Sequence, residues 1–150
     1  MNDGPCAYEG KCLGPKADQV QTIVGYSNSM ENPNNQTTYL VVDGENIDAT
    51  LGLSVLDRRP NPEERPRWDR VLESAHGRWG QKAKGLFFLN GSSGFLPMGF
   101  VQALTAMDYS VIPLSGPADM KVVDVGLQRT MDAIAQLGSG DVILASHDAD

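Results

Sequence analysis

Four short apolar runs alternate along this chain with stretches of helical period, and this alternation restricts the fold more than any other feature. The runs are Thr37-Thr38-Tyr39-Leu40-Val41-Val42, Gly85-Leu86-Phe87-Phe88-Leu89, Tyr109 to Leu114, and Asp141-Val142-Ile143-Leu144-Ala145. They are rich in β-branched and aromatic residues, and turn signals such as Asp43-Gly44, Asn90-Gly91-Ser92-Ser93-Gly94 and Ser115-Gly116-Pro117 follow them. Each reads as a buried strand. Between them, Trp68, Val71, Leu72, Ala75 and Trp79 recur at helical spacing over 67–79, with Gly80 as the stop. Phe100, Val101, Leu104 and Met107 predict a helix over 98–107. Val123, Leu127, Met131, Ile134 and Leu137 predict another over 121–137, ended by Gly138 to Gly140. A looser helical pattern spans 47–56, and Pro60, Pro62 and Pro66 make the next segment a loop. The order β-α-β-α-β-α-β predicts an α/β fold with a parallel sheet covered on both faces.

Residues 1–36 read differently. They are rich in Gly and Pro, end in Asn32-Pro33-Asn34-Asn35-Gln36, and hold only Val20, Ile23 and Val24 as an apolar cluster. A flexible leader is expected over 1–36, followed by one domain over 37–150. No run is long and apolar enough for a membrane helix, and the N-terminus lacks a signal-peptide pattern, so a cytoplasmic chain without a membrane partner is expected. Cys6 and Cys12 fall short of the four ligands of a structural zinc site and read as reduced thiols.

In a parallel sheet the strand ends and the helix starts share one edge, where sites form. Asp43 closes the first strand, Asp148 and Asp150 follow the fourth, and Asp124 opens the helix between the third and fourth. These acids can converge. Crowded carboxylates repel unless a cation lies between them. A hard divalent ion such as Mg²⁺ or Mn²⁺ suits oxygen ligands and readies water for attack on a phosphodiester. Each acid also has an ordinary use: Asp43-Gly44 is a common turn pair, and Asp124 suits a helix dipole.

These residues also carry a family resemblance. Tyr39-Leu-Val-Val-Asp43-Gly-Glu-Asn46-Ile47, then Lys121-Val-Val-Asp124-Val-Gly-Leu127 with Asp132, then Val142-Ile-Leu-Ala-Ser146-His-Asp148-Ala-Asp150, together resemble the NYN domain of the PIN-like nuclease superfamily. The resemblance covers roughly residues 37–150. It implies a PIN-like three-layer α/β/α fold with a central mostly parallel sheet and a Mg²⁺- or Mn²⁺-dependent ribonuclease site, with Asp43, Asp124, Asp148 and Asp150 as catalytic and metal-holding positions. Asn46 matches the asparagine of the first motif, which orients the first carboxylate or a water. The family commonly has Lys-Gly in its middle motif, where Val122 follows Lys121, and Gly where His147 stands. It also continues with a further helix and strand, so the domain is expected to be truncated at its C-terminal end.

The expected partner is RNA. The formal charge of −7 disfavours binding nucleic acid by bulk charge, but that charge is segregated. Residues 58–84 hold eight basic and four acidic side chains, a net of +4, which leaves −11 elsewhere. Lys121, Arg58 and Arg59 are candidate phosphate ligands. The other reading of the same charges is a solvated helix face with internal ion pairs. Trp68 and Trp79 lie on the apolar stripe and are expected in the core. The alternative to a ribonuclease is a non-catalytic PIN-like regulatory module that binds RNA or a protein partner; a homo-oligomer or a protein partner is a separate expectation beside RNA. A third reading gives the catalytic role to Glu45 with the Asp-x-Asp pair.

Overall fold

The computed structural model of the chain describes residues 36–45, 47, 54–58 and 60–147. The expected leader apart from Gln36, both cysteines, Asn46, Arg59, Asp148 and Asp150 lie outside the described residues. Of the helix expected over 47–56, Ile47 and residues 54–56 are described, and all are helical.

The elements run β1 (Thr37–Asp43), a 3-10 turn (Pro62–Glu64), α1 (Trp68–Arg78), β2 (Lys82–Asn90), α2 (Met98–Ala106), β3 (Tyr109–Leu114), α3 (Val122–Leu137) and β4 (Asp141–Ala145). The four strands form one parallel sheet in the order β3-β2-β1-β4. The class is therefore α/β. From β1 to β3 the chain steps one way across the sheet, and from β3 to β4 it returns past two strands. A crossover of constant hand places its helix on the face set by the direction of travel. Accordingly α1 and α2 pack on one face and α3 on the other. Among the described residues, no helix is long and apolar enough to cross a membrane.

Two cores result. On the α1–α2 face, Leu40, Val42, Phe87 and Leu89 meet Trp68, Leu72, Ala75 and Leu104. Phe87 is its centre: Trp68, Phe100 and Tyr109 stand edge-on to its ring at centroid distances of 4.9, 5.5 and 5.8 Å. Such pairs add about 0.5–1.5 kcal/mol each beyond area burial. On the opposite face, Tyr39, Val41, Leu86 and Phe88 meet Val123, Leu127 and Ile134 of α3. Gly126 lets that helix approach the sheet, because a Cβ there would stand 2.3 Å from Leu114 Cδ1.

Element ends and coverage differ from the sequence expectation in four places. β2 starts at Lys82 rather than Gly85, because Lys82 to Lys84 pair with Thr37 to Tyr39 through backbone, to which side-chain polarity is blind. Trp79 is not in the core but 46 % exposed. The helix ends at Arg78, so Trp79 leaves the helical stripe at φ −127° and its indole swings outward. Leu137, in the last turn of α3, is also exposed rather than buried. The expected cover on both faces fails at β4, an edge strand, where Val142 and Leu144 are 37 % and 48 % exposed.

Tyr109 joins β3 to the start of α1. Its hydroxyl donates to the Trp68 carbonyl at 2.9 Å in a buried setting. Burial, with Asp69 nearby, pushes its pKa from 10.0 up to about 12. Below the unfolded value the phenol is neutral in both states and the stabilisation is complete. As pH rises further the unfolded phenol ionises first, so the unfolded state binds fewer protons and stability falls until the folded phenol ionises too. Raising pH from about 9 to about 11 should cost up to about 1 kcal/mol through this group, solvent screening reducing the effect. Urea melts should show a smaller alkaline loss for Tyr109→Phe, together with a neutral-pH cost of about 1 kcal/mol for the missing hydrogen bond.

Candidate functional site at the carboxyl edge of the sheet

The strand order reverses beside β1: β2 and β3 lie on one side and β4 on the other. In open parallel sheets, ligand sites form outside the carboxyl ends of the strands at such a reversal. Asp43, the last residue of β1, stands there and is only 1 % exposed. Its Oδ1 accepts the Glu45 N–H at 3.1 Å and its Oδ2 accepts the Ser146 hydroxyl at 2.9 Å. Register explains the second bond. Val42 pairs with Ala145, so the next residues, Asp43 and Ser146, come level as β4 ends. Among the described residues, no lysine or arginine forms an ion pair with Asp43.

Gly44 lets the chain leave β1 tightly. Its N–H donates to the Phe88 carbonyl at 2.9 Å, extending the ladder one step past Asp43. A Cβ on Gly44 would lie 2.3 Å from that carbonyl oxygen and 2.4 Å from Phe87 Cε1.

The neighbouring loops are tied together by short polar side chains. Asn90 Nδ2 donates to Glu45 Oε1 at 2.9 Å, and Asn90 Oδ1 accepts the Ser92 N–H at 2.9 Å. The Ser92 hydroxyl accepts the Gly116 N–H at 3.2 Å. Thus the loops after β1, β2 and β3 form one hydrogen-bonded rim. Glu45 is exposed and turned to Asn90, so Asp43 is the buried acid at this strand end.

Asp124 lies in the first turn of α3, where the helix dipole favours a carboxylate. The helix starts after β3 has ended, which puts Asp124 on the carboxyl side of the sheet. Its Oδ2 is 3.7 Å from Lys121 Nζ. Among the described residues, no group of three His, Cys, Asp or Glu is gathered for a metal ion.

Arg58 makes two short hydrogen bonds to Glu64, at 2.7 and 2.6 Å. With the Asn61 N–H, this guanidinium holds the Glu64 carboxyl down to about 2. A phosphate at Arg58 must therefore compete with Glu64. His147 is exposed, with Nε2 3.2 Å from the Ser54 hydroxyl. His76 Nδ1 accepts the Ala83 N–H at 2.9 Å, which accounts for that residue structurally.

The sequence reading named Asp43 but not its holder, Ser146, nor the bridge from Asn90 to Glu45. A signal existed for Asn90, since Asn before Gly-Ser-Ser favours a side-chain turn. For Ser146 the contact requires strands 103 residues apart to pair, which no local pattern encodes. Comparison of the chain with protein-family models, curated proteins and solved structures found no match.

Two substitutions test this arrangement. Ser146→Ala withdraws a hydroxyl from a buried carboxylate and should cost about 1–3 kcal/mol in urea unfolding. Gly44→Ala forces Phe87, Phe88 or the turn to move and should cost about 1–3 kcal/mol by the same measurement.

Proposed function

We propose that this chain is a divalent-metal-dependent ribonuclease, with a PIN-like domain of the NYN type acting at the carboxyl edge of its sheet. The observation that carries the reading is Asp43: a carboxylate almost fully removed from water at the sheet's reversal point, held by Ser146 from the far end of the domain. The first and last stretches of the motif pattern thus meet at one carboxylate.

The donor set suits a hard cation. A carboxylate has about four acceptor positions, and the hydrogen bonds to Asp43 use two of them. Asp43 and Asp124, joined by Asp148 and Asp150, would hold Mg²⁺ or Mn²⁺ through oxygen. When bound, such an ion supplies an activated water and offsets charge growing on the phosphate. The protein's own part is orientation. Ser146 and the Glu45 amide fix the Asp43 carboxylate, and the exposed Lys121 ammonium beside Asp124 is a candidate phosphate contact. Asn46 would orient the Asp43 carboxylate or a water.

A second reading is a non-catalytic module that binds RNA or a protein partner. It is favoured by one feature of the same site: each Asp43 oxygen already has a donor, as a purely structural carboxylate would.

The test is cleavage of a fluorogenic RNA with Mn²⁺. Wild-type protein should cleave above background, and Asp43→Asn should lower the rate by at least about a hundredfold. Equal rates in both would favour the second reading. Millimolar Mn²⁺ should also raise the melting temperature of wild type but not of Asp43→Asn, since binding to the folded state alone stabilises it.

A further inference from the structure

We infer that the groove between α1 and β4 is a track for single-stranded RNA. It has a volume of about 820 Å³, and Leu40, Val142 and Ile143 line its sheet side. Its helix side carries Arg70, Arg78 and Trp79. Arg67 and Ser74 also line it, so Arg67, Arg70, Ser74 and Arg78 follow one another at helical spacing along a single face of α1.

The groove's chemistry points to one kind of occupant. Arg67 is engaged by Asp69, but Arg70 and Arg78 make no ion pair among the described residues. Among the described residues, no acidic side chain lines the groove. The Arg78 guanidinium lies over the exposed Trp79 ring, 5.8 Å from its centroid. Cations beside an aromatic face and an apolar floor form the combination that binds single strands: arginine takes phosphate, and the ring takes a base. A duplex would present its bases stacked and paired, leaving the indole and the apolar floor without partners.

The groove's direction adds to the argument. Trp79 lies three residues before Lys82, which pairs with Thr37 at the amino edge of the sheet. Arg67, the residue before α1, lies at the helix's other end, about 16 Å from Arg78 along an axis rising ~1.5 Å per residue. The track thus runs from the amino edge toward the edge where Asp43 stands, and a strand lying in it would lead to that carboxylate. The choice of RNA rests on the ribonuclease reading; the charge and aromatic character of the groove do not.

The experiment is fluorescence anisotropy with a labelled oligouridylate of about 12 nucleotides, with metal chelated by EDTA so that no cleavage occurs. Wild type should bind in low salt. The double variant Arg70→Glu/Arg78→Glu should bind at least tenfold more weakly, about as expected for two lost phosphate contacts, and its log–log salt slope should shrink by about 1.4. Trp79→Ala should weaken binding about tenfold through lost stacking. Arg129→Glu, on α3 across the sheet, makes a charge reversal of the same kind and should change affinity by less than about twofold. All these positions are exposed, and circular dichroism melts establish that each variant is folded. Failure of wild type to bind, or unchanged affinity in the groove variants, overturns the inference. So does loss of binding only to a duplex of the same length, or displacement by a polyglutamate peptide without any effect of Trp79→Ala. Because binding is read without metal, a chain that never cleaves can still bind through the groove. A chain that cleaves while the groove variants bind normally refutes the track alone.

Discussion

β1 is buried on both faces, with Tyr39 and Val41 under α3 and Leu40 and Val42 under α1 and α2. Its neighbours β2 and β4 satisfy its backbone on both edges. A strand so enclosed must be apolar along its length, which Tyr39-Leu40-Val41-Val42 supplies. The other elements are arranged around it: one crossover direction places two helices on one face, and the return to β4 places the third on the other. An interior this dense leaves no slack where helix and sheet touch, so Gly44 and Gly126 stand where a side chain would collide with strand atoms or with Leu114.

The same enclosure gives Asp43 its character. A carboxylate removed from water costs free energy unless hydrogen bonds or a cation compensate. Here one backbone amide and one hydroxyl compensate in part, and the hydroxyl comes from the opposite end of the domain. Apolar burial and the Asp43–Ser146 contact are therefore coupled. Correct β1–β4 pairing brings the donor, and mispairing would leave the carboxylate with fewer partners. A group held this way is fixed in orientation, and the proposed ribonuclease function draws on that property.

Much of the architecture was legible locally. The β3 and β4 boundaries agree with the apolar runs, and the three helices lie within two residues of their periodic stripes, because both patterns record one-sided or two-sided burial. The failures share a cause. Trp79 and Leu137 continue a stripe arithmetically, but the stripe has meaning only while the helix and the sheet beneath it both last. Val142 and Leu144 are as apolar as a central strand, yet their strand took the edge. Beyond these, the capping turn at Asn61 brings Glu64 against Arg58, a partner that the run of charges alone did not single out.

The sequence by itself determined that the chain builds a parallel α/β sheet and that Asp43 stands at the end of its first strand, since periodicity and turn residues are properties of neighbours. It also marked the segment 58–84 as basic. Only the tertiary structure decided that β4 returns to lie beside β1, which makes Asp43 the acid at the reversal point and Ser146 its partner. Only the tertiary structure turned Trp79 outward beside Arg78, making a groove where the pattern had a core residue. Both outcomes depend on contacts between segments distant in the chain, whose energies are set by which surfaces meet and not by the local order of residues.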